Sequence, residues 1–570
     1  MKTIWGETLD PNAVLQEYPR PQMVRRSYRN LNGLWDYAIT DAAAPPERWG
    51  GEILVPFSPE APLSGVGRTL LPGQTLWYRR TLAEQPREGA RLLLHFGAAD
   101  QECTVYLNKR RVGAHVGGYT AFTVDVTDAL AEENELLVAV RDGTDTNALS
   151  RGKQKTKRGG IWYTPQSGLW QTVWAEWVPE RYITGLRITP DAANACVRVE
   201  VQSDYDGACY LHFAGRRIGG FTNRETVIRV KDAELWSPEH PKLYAFEAEL
   251  GSDRVKSYFA LRDVAVGKDA QGRPCLMLNE KPYYHCGVLD QGYYPDGLYT
   301  APSDAAMIYD ITLMKRMGFN MLRKHIKVEP MRWYYHCDRL GMLVWQDMIN
   351  GGGAYKLLTV SAPLFTHRHH SDRNYRRFAR TDADGRAAYY TELSEMVCQL
   401  YNCPCIVMWV PFNEGWGQFD AAEAVRRIEE IDKTRTIDHA SGWHDQKLGA
   451  IQSLHVYFYA YRFRPDKLGR AVVLSEFGGY QLPIEGHTWN GANFGYKGYR
   501  TKEALAAAYR RLYERQILPA RQKGLAASVY TQLSDVEEEV NGFVTYDRRV
   551  EKLDAESVRA VHERLIAGKP

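Results

Sequence analysis

The spacing of apolar side chains changes once along the chain, near residue 267. Before that point apolar and polar positions alternate over short runs. Phe122-Thr-Val-Asp-Val126 is the clearest. Arg91-Leu-Leu-Leu-His-Phe96, Cys103-Thr-Val-Tyr-Leu107 and Asn134-Glu-Leu-Leu-Val-Ala-Val140 are similar runs, with turn residues between them. A period of two broken by frequent turns predicts antiparallel strands. Residues 1–179 therefore read as an N-terminal jelly-roll β-sandwich. Cys196-Val-Arg-Val-Glu-Val201, Ala208-Cys-Tyr-Leu-His-Phe213 and Thr226-Val-Ile-Arg-Val230 continue the pattern, and 180–267 reads as an immunoglobulin-like β-sandwich. Beyond Gly267 strands and helices alternate. Strands are predicted at 284–288, 320–325, 342–348, 406–412, 437–440, 453–458, 471–475 and 526–531. A helix over 304–317 is capped by Ser303 and stopped by Gly318, and another covers 386–400. Eight strands with helices between them predict a C-terminal (β/α)8 TIM barrel over 268–570.

Two of these strands end in an acid. Ile406-Val-Met-Trp-Val410 runs through Pro411 into Asn413-Glu414-Gly415, and Ala471-Val-Val-Leu-Ser475 runs into Glu476. A glutamate directly after a doubly buried strand is costly unless the chain has reached a mouth, and in such barrels the C-terminal mouth carries the chemistry. Two facing carboxylates are what cleavage of a glycosidic bond needs. The alternative is that each merely caps a helix or pairs with an arginine.

Composition narrows the setting. A net charge of +3 over 570 residues gives no pull toward nucleic acid or membrane, and no apolar run approaches a membrane span. The nine cysteines are scattered and odd in number, with none in a Cys-x-x-Cys pair. They suggest free thiols, a reducing compartment and so a cytoplasmic protein. The 35 tyrosines and 15 tryptophans suit sugar rings as well as sandwich cores.

The residues also resemble glycoside hydrolase family 2, the group of β-galactosidases, β-glucuronidases and β-mannosidases. The resemblance rests on Tyr18-Pro-Arg-Pro-Gln22, Asn30-Leu-Asn-Gly-Leu-Trp35, Leu76-Trp-Tyr-Arg-Arg80, Gly117-Gly-Tyr-Thr-Ala-Phe122, Gly168-Leu-Trp-Gln171, Leu278-Asn-Glu-Lys-Pro282, Asn413-Glu414 and Ser475-Glu476-Phe-Gly-Gly479. It implies a sugar-binding-like first domain, a retaining exo-β-glycosidase, Glu414 as general acid/base and Glu476 as nucleophile. Asn413 would contact the sugar 2-hydroxyl, Tyr457 would support the nucleophile, and Arg323 would keep it ionised. His325 stands one position early for the family's Arg-x-x-His.

Departures from the family pattern bear on the sugar. The lysine with which β-glucuronidases hold the substrate carboxylate is missing from Glu538-Glu-Val-Asn-Gly-Phe543. Glu537 to Glu539 would repel a uronate, unless Lys324 or Lys497 compensates. This favours a β-D-galactoside, with β-glucuronide next. The metal-binding Glu-x-His of the family's β-galactosidases is also missing after Asp347, so no metal or other cofactor is expected. His367-Arg-His-His370 reads as a solvated loop, as does the basic run Arg151 to Arg158. Asp290, Trp345, Asp347, Trp489, the wall Tyr293-Tyr-Pro-Asp-Gly297 and, from the N-terminal loop, Trp162 are further candidates to line the sugar pocket. A carbohydrate is the expected partner, homo-oligomerisation stays open, and a non-catalytic carbohydrate-binding protein is the rival reading.

Overall fold

The structure, a computed structural model, describes every residue except Ala43, His367 and Pro570. His367, the first residue of the histidine-rich loop, lies outside the described residues. The expected fold classes are observed. Near the N-terminus a six-stranded antiparallel sheet, with Thr75–Leu82 and Asn134–Arg141 at its centre, faces a four-stranded sheet built on Ala90–Phe96 and Val173–Pro179. Their inward positions, among them Trp35, Leu76, Tyr78, Leu94, Val105 and Val138, form one apolar core. A second sandwich of three and four strands follows, with its own core around Val199, Leu211, Ala248 and Val255.

The barrel strands are His285–Asp290, Met321–Lys324, Leu343–Asp347, Ile406–Val410, Thr436–Ile437, Ile451–Val456, Ala471–Gly478 and Ala527–Thr531. They are parallel, in the order five-four-three-two-one-eight-seven-six, so the sheet is closed except between the fifth and sixth strands. All but the fifth and sixth are buried at every position, as near-continuous apolar runs require. The predicted Ser303 cap is in place, and the second predicted helix begins three residues earlier than expected, with a cap that was not predicted. Ser303 Oγ accepts from the Ala306 N–H at 3.2 Å at the start of Asp304–Arg316, and Asp382 caps Ala383–Leu400. Among the described residues no cysteine is in a disulfide, and no helix is long and apolar enough to cross a membrane.

One expectation is corrected. The segment from Arg151 to Arg158 is not a solvated loop throughout, since Arg151, Lys153 and Gln154 are buried. Residues 150–165 form a strap from the first sandwich across the barrel mouth. The N–H groups of Arg151 and Gly152 bond to Asn350 O at 2.9 and 3.1 Å, and Arg151 donates to Gly352 O. At the far end the strap is held by the acids after the eighth barrel strand. Thr164 N–H bonds to Glu537 and Gly160 N–H to Glu538, both at 2.9 Å, and the Tyr163 hydroxyl donates to Glu539.

Candidate active site

The fourth barrel strand delivers Glu414 in a left-handed backbone conformation, φ 51°, which costs a non-glycine residue about 1–2 kcal/mol. Two hydrogen bonds pin it: its N–H to Ser441 O at 2.9 Å, and Trp443 Nε1 to its carbonyl at 2.8 Å. Burial raises the Glu414 carboxyl to about 7, against the opposing positive charges of Lys153 and Arg323. The seventh strand delivers Glu476 at an irregularity where its register to the eighth strand shifts. Arg323 Nη1 donates to Glu476 Oε1 at 3.1 Å and the Tyr457 hydroxyl to Oε2 at 2.5 Å.

Between the two acids stands His455, which burial lowers to about 3, so the ring is neutral. Its Nε2 lies 3.5 Å from the Arg323 guanidinium, a group that can only donate. Nε2 is nearer to the Ser441 hydroxyl, at 2.9 Å, and Nδ1 lies 2.8 Å from Glu414 Oε1. One oxygen of each glutamate and a nitrogen of His455 all lie within 4.8 Å of one another. Arg323 ties the floor together. Its Nε bonds Asp347 at 3.0 Å and its Nη2 bonds Asn413 Oδ1 at 2.7 Å. The Asn413 amide nitrogen is buried with no partner among the described residues. Burial raises Asp347 to about 7, opposed by Arg323, and its second oxygen lies 2.7 Å from His325 Nδ1.

The family model "Glycosyl hydrolases family 2, TIM barrel domain" matches residues 275–478, "Glycosyl hydrolase 2 galactose-binding domain-like" matches 69–171 and "Glycosyl hydrolases family 2" matches 182–262. Between them they cover more than half of the chain. The chain belongs to glycoside hydrolase family 2. A β-galactosidase of Thermoanaerobacter pseudethanolicus is 22% identical over 63% of this chain and 47% of its own length. A β-glucuronidase of Streptococcus agalactiae is 23% identical over 70% of this chain and 68% of its own. The chain spans less than half the length of several of the curated relatives it matches. A solved β-D-glucuronidase of Dictyoglomus thermophilum shares the fold, with a TM-score of 0.74 at 17% identity over 96% of this chain and 98% of that one.

Within this family 2 chain, Glu414, Glu476, Asn413, Tyr457, Arg323 and Asp347 come together, and other candidates do not. Asp290 is turned away. Its oxygens are taken by Lys324 Nζ at 2.6 Å and by the Gly292 N–H at 2.9 Å. Trp345 shares a strand face with Asp347 but sits two residues deeper, where its indole N–H bonds His285 at 2.9 Å in the barrel core. The ring neighbours of Trp489 are Tyr546, at 5.7 Å, and Arg158. Tyr293 is packed between Tyr163 and Tyr299. Trp162 packs against Trp416 with ring centres 5.2 Å apart and planes tilted by 46°, and the Trp416 ring is 6.3 Å from that of His325, so the strap does contribute to the wall around the site. Lys324 is spent on Asp290 and Glu329, and Lys497 is exposed on a two-stranded ladder.

Sequence reasoning missed His455, Trp416 and Lys153. The available signal for His455 was its position near the end of the sixth strand, two residues before Tyr457. Among the described residues, Glu414, His455 and Glu476 are the one cluster of three potential metal ligands. Both Glu476 oxygens already have donors and the Arg323 guanidinium supplies the counter-charge, so these residues fit an organic substrate better than a cation.

Proposed function

We propose that the protein is a retaining exo-β-glycosidase. The observation that carries this reading is the pairing of two carboxyls within 4.8 Å, one raised to about 7 and the other clasped by a buried guanidinium and a tyrosine hydroxyl. A short separation is the retaining geometry. Glu476 attacks the anomeric carbon. Glu414, whose Oε1 is held 2.8 Å from His455 Nδ1, gives the leaving oxygen a proton from Oε2. Glu414 then takes a proton from water, which displaces Glu476 and frees the sugar. The unpartnered Asn413 amide is the donor for the 2-hydroxyl, a bond that strengthens in the transition state. The reading divides the chain at about 179 and 267, with the first domain lending its strap to the barrel, and the unpaired thiols support a cytoplasmic setting.

The glycone is a β-D-galactoside or the corresponding acidic sugar. The earlier ground for preferring the neutral one is weakened, because Glu537, Glu538 and Glu539 accept hydrogen bonds from the strap, although the charge of Glu539 still reaches Glu414. The test is a panel of p-nitrophenyl β-galactoside, β-glucuronide, β-galacturonide, β-mannoside and β-glucoside with wild type beside Glu476→Gln. Release from one of them that vanishes in the variant supports the reading. Sugar binding without release in either protein would replace it with a carbohydrate-binding protein.

A further inference from the structure

Four lysines are buried among the described residues, and three have partners. Lys324 pairs with Asp290 and Glu329, Lys327 with Glu329 and two carbonyls, and Lys552 with Asp535 and a carbonyl. Lys153 is 6% exposed and its ammonium makes no hydrogen bond or ion pair among the described residues. Its neighbours are aromatic faces, with Nζ 5.4 Å from the ring centre of Tyr163 and 5.7 Å from that of Trp416. The backbone around it is fixed, with the Gly152 N–H on Asn350 and the Lys153 carbonyl accepting from the Tyr163 N–H at 2.9 Å.

We propose that Lys153 is the cation that receives the carboxylate of the substrate, and that the sugar cleaved is therefore a hexuronic acid. The proposal rests on the glycosidase reading above. A buried ammonium without an anion is costly, and aromatic faces offset only part of that cost. A carboxylate entering the pocket offsets the rest through a charge-assisted hydrogen bond. Lys153 stands on the substrate side. Trp416 is two residues beyond Glu414, and the charge of Lys153 is the strongest one acting on both Glu414 and His325. The acids that would compete for it from the loop after the eighth strand are directed elsewhere. Glu537 bonds Thr164, Glu538 bonds Gly160 and Glu539 bonds Tyr163 and Asn541. The strap thus brings a cation to the site and engages the oxygens of the three glutamates, of which Glu539 still acts on Glu414 through its charge without forming an ion pair with Lys153 among the described residues.

The test compares wild type with Lys153→Met, which keeps the apolar stem. The substrates are p-nitrophenyl β-D-glucuronide, β-D-galacturonide and β-D-galactoside. Wild type is expected to prefer a uronide. The variant should lose about 100-fold in kcat/KM on that uronide, well beyond its loss on the galactoside. Equal losses on both, or faster wild-type cleavage of the galactoside, overturn the proposal. A galactoside hydrolysed well only when its phenol carries a carboxylate, with that gain lost in the variant, would move the anion to the leaving group and also overturn it. If wild type cleaves nothing, calorimetry with free D-glucuronate and D-galacturonate decides. Binding that disappears in Lys153→Met keeps the anion site while rejecting the glycosidase reading, and no binding of either rejects both.

Discussion

Glu414→Gln isolates what the acid contributes. Raising a carboxyl from 4.5 to about 7 sets about 3 kcal/mol against its ionisation. Wild type should therefore hold its proton through the neutral range and lose the acid form above about pH 7. With a phenyl glycoside, whose leaving group needs that proton, kcat/KM should fall tenfold per pH unit beyond this point. The glutamine variant should lose about 10²–10⁴-fold on the phenyl substrate and far less on a dinitrophenyl one, with no alkaline limb. Stability gives a second readout with a fixed sign. A carboxyl whose folded pKa is raised contributes stability below about pH 4.5, and that stability is lost as pH rises through about 7. At pH 8 the variant should therefore resist denaturant better than wild type, by up to about 3 kcal/mol, and at pH 5 the gap should nearly close. A wild-type profile flat to pH 9, or an undiminished variant on the phenyl substrate, would refute the assignment of Glu414.

Tyr457→Phe removes the 2.5 Å donor to Glu476, a bond to a charged group, and should cost about 10–100-fold in kcat/KM. Unlike the Glu414 change, it should cost as much on the dinitrophenyl substrate, because the nucleophile acts whatever the leaving group. Asp290→Asn leaves Lys324 with Glu329 alone and should destabilise the fold by about 1–3 kcal/mol in denaturant titrations while KM stays within about twofold. A tenfold rise in KM with unchanged stability would return Asp290 to the sugar pocket.

The two catalytic candidates were legible because an acid at the end of an apolar strand is conspicuous in any sequence. The barrel strands were legible for the same reason, and the boundaries differ from expectation by at most three residues. The face on which a residue lies was not. A barrel strand is apolar on both sides, so its composition does not say which parity points inward. Arg323 and Leu289 face the interior, while their neighbours Lys324 and Asp290 meet each other behind the sheet. Depth was hidden too. Trp345 and Asp347 share a face, but two residues along a strand is about 6.6 Å, enough to move the indole from the mouth into the core.

The charges after the eighth strand and in the strap show a different limit. Read separately, Glu537 to Glu539 repel anions and Arg151 to Arg158 is a solvated basic run. Each reading assumes that a charge acts on solvent or substrate. Folding brings the two segments together, about 380 residues apart in sequence, and most of their charges and backbone donors are then spent on each other or on barrel carbonyls. What remains for a ligand is the residue that such pairing leaves out. Lys155 and Lys157 are also left without an ion pair among the described residues, but Lys153 is the buried one, and its meaning depends on Tyr163, Trp416 and the three glutamates together. If the strap were displaced from the barrel, by replacing Glu537 and Glu538 with glutamine, the lysine would lose its fixed place and the acids their partners. Activity on an acidic sugar should then suffer more than activity on a neutral one. A sugar preference set inside the barrel alone would leave the ratio of the two unchanged.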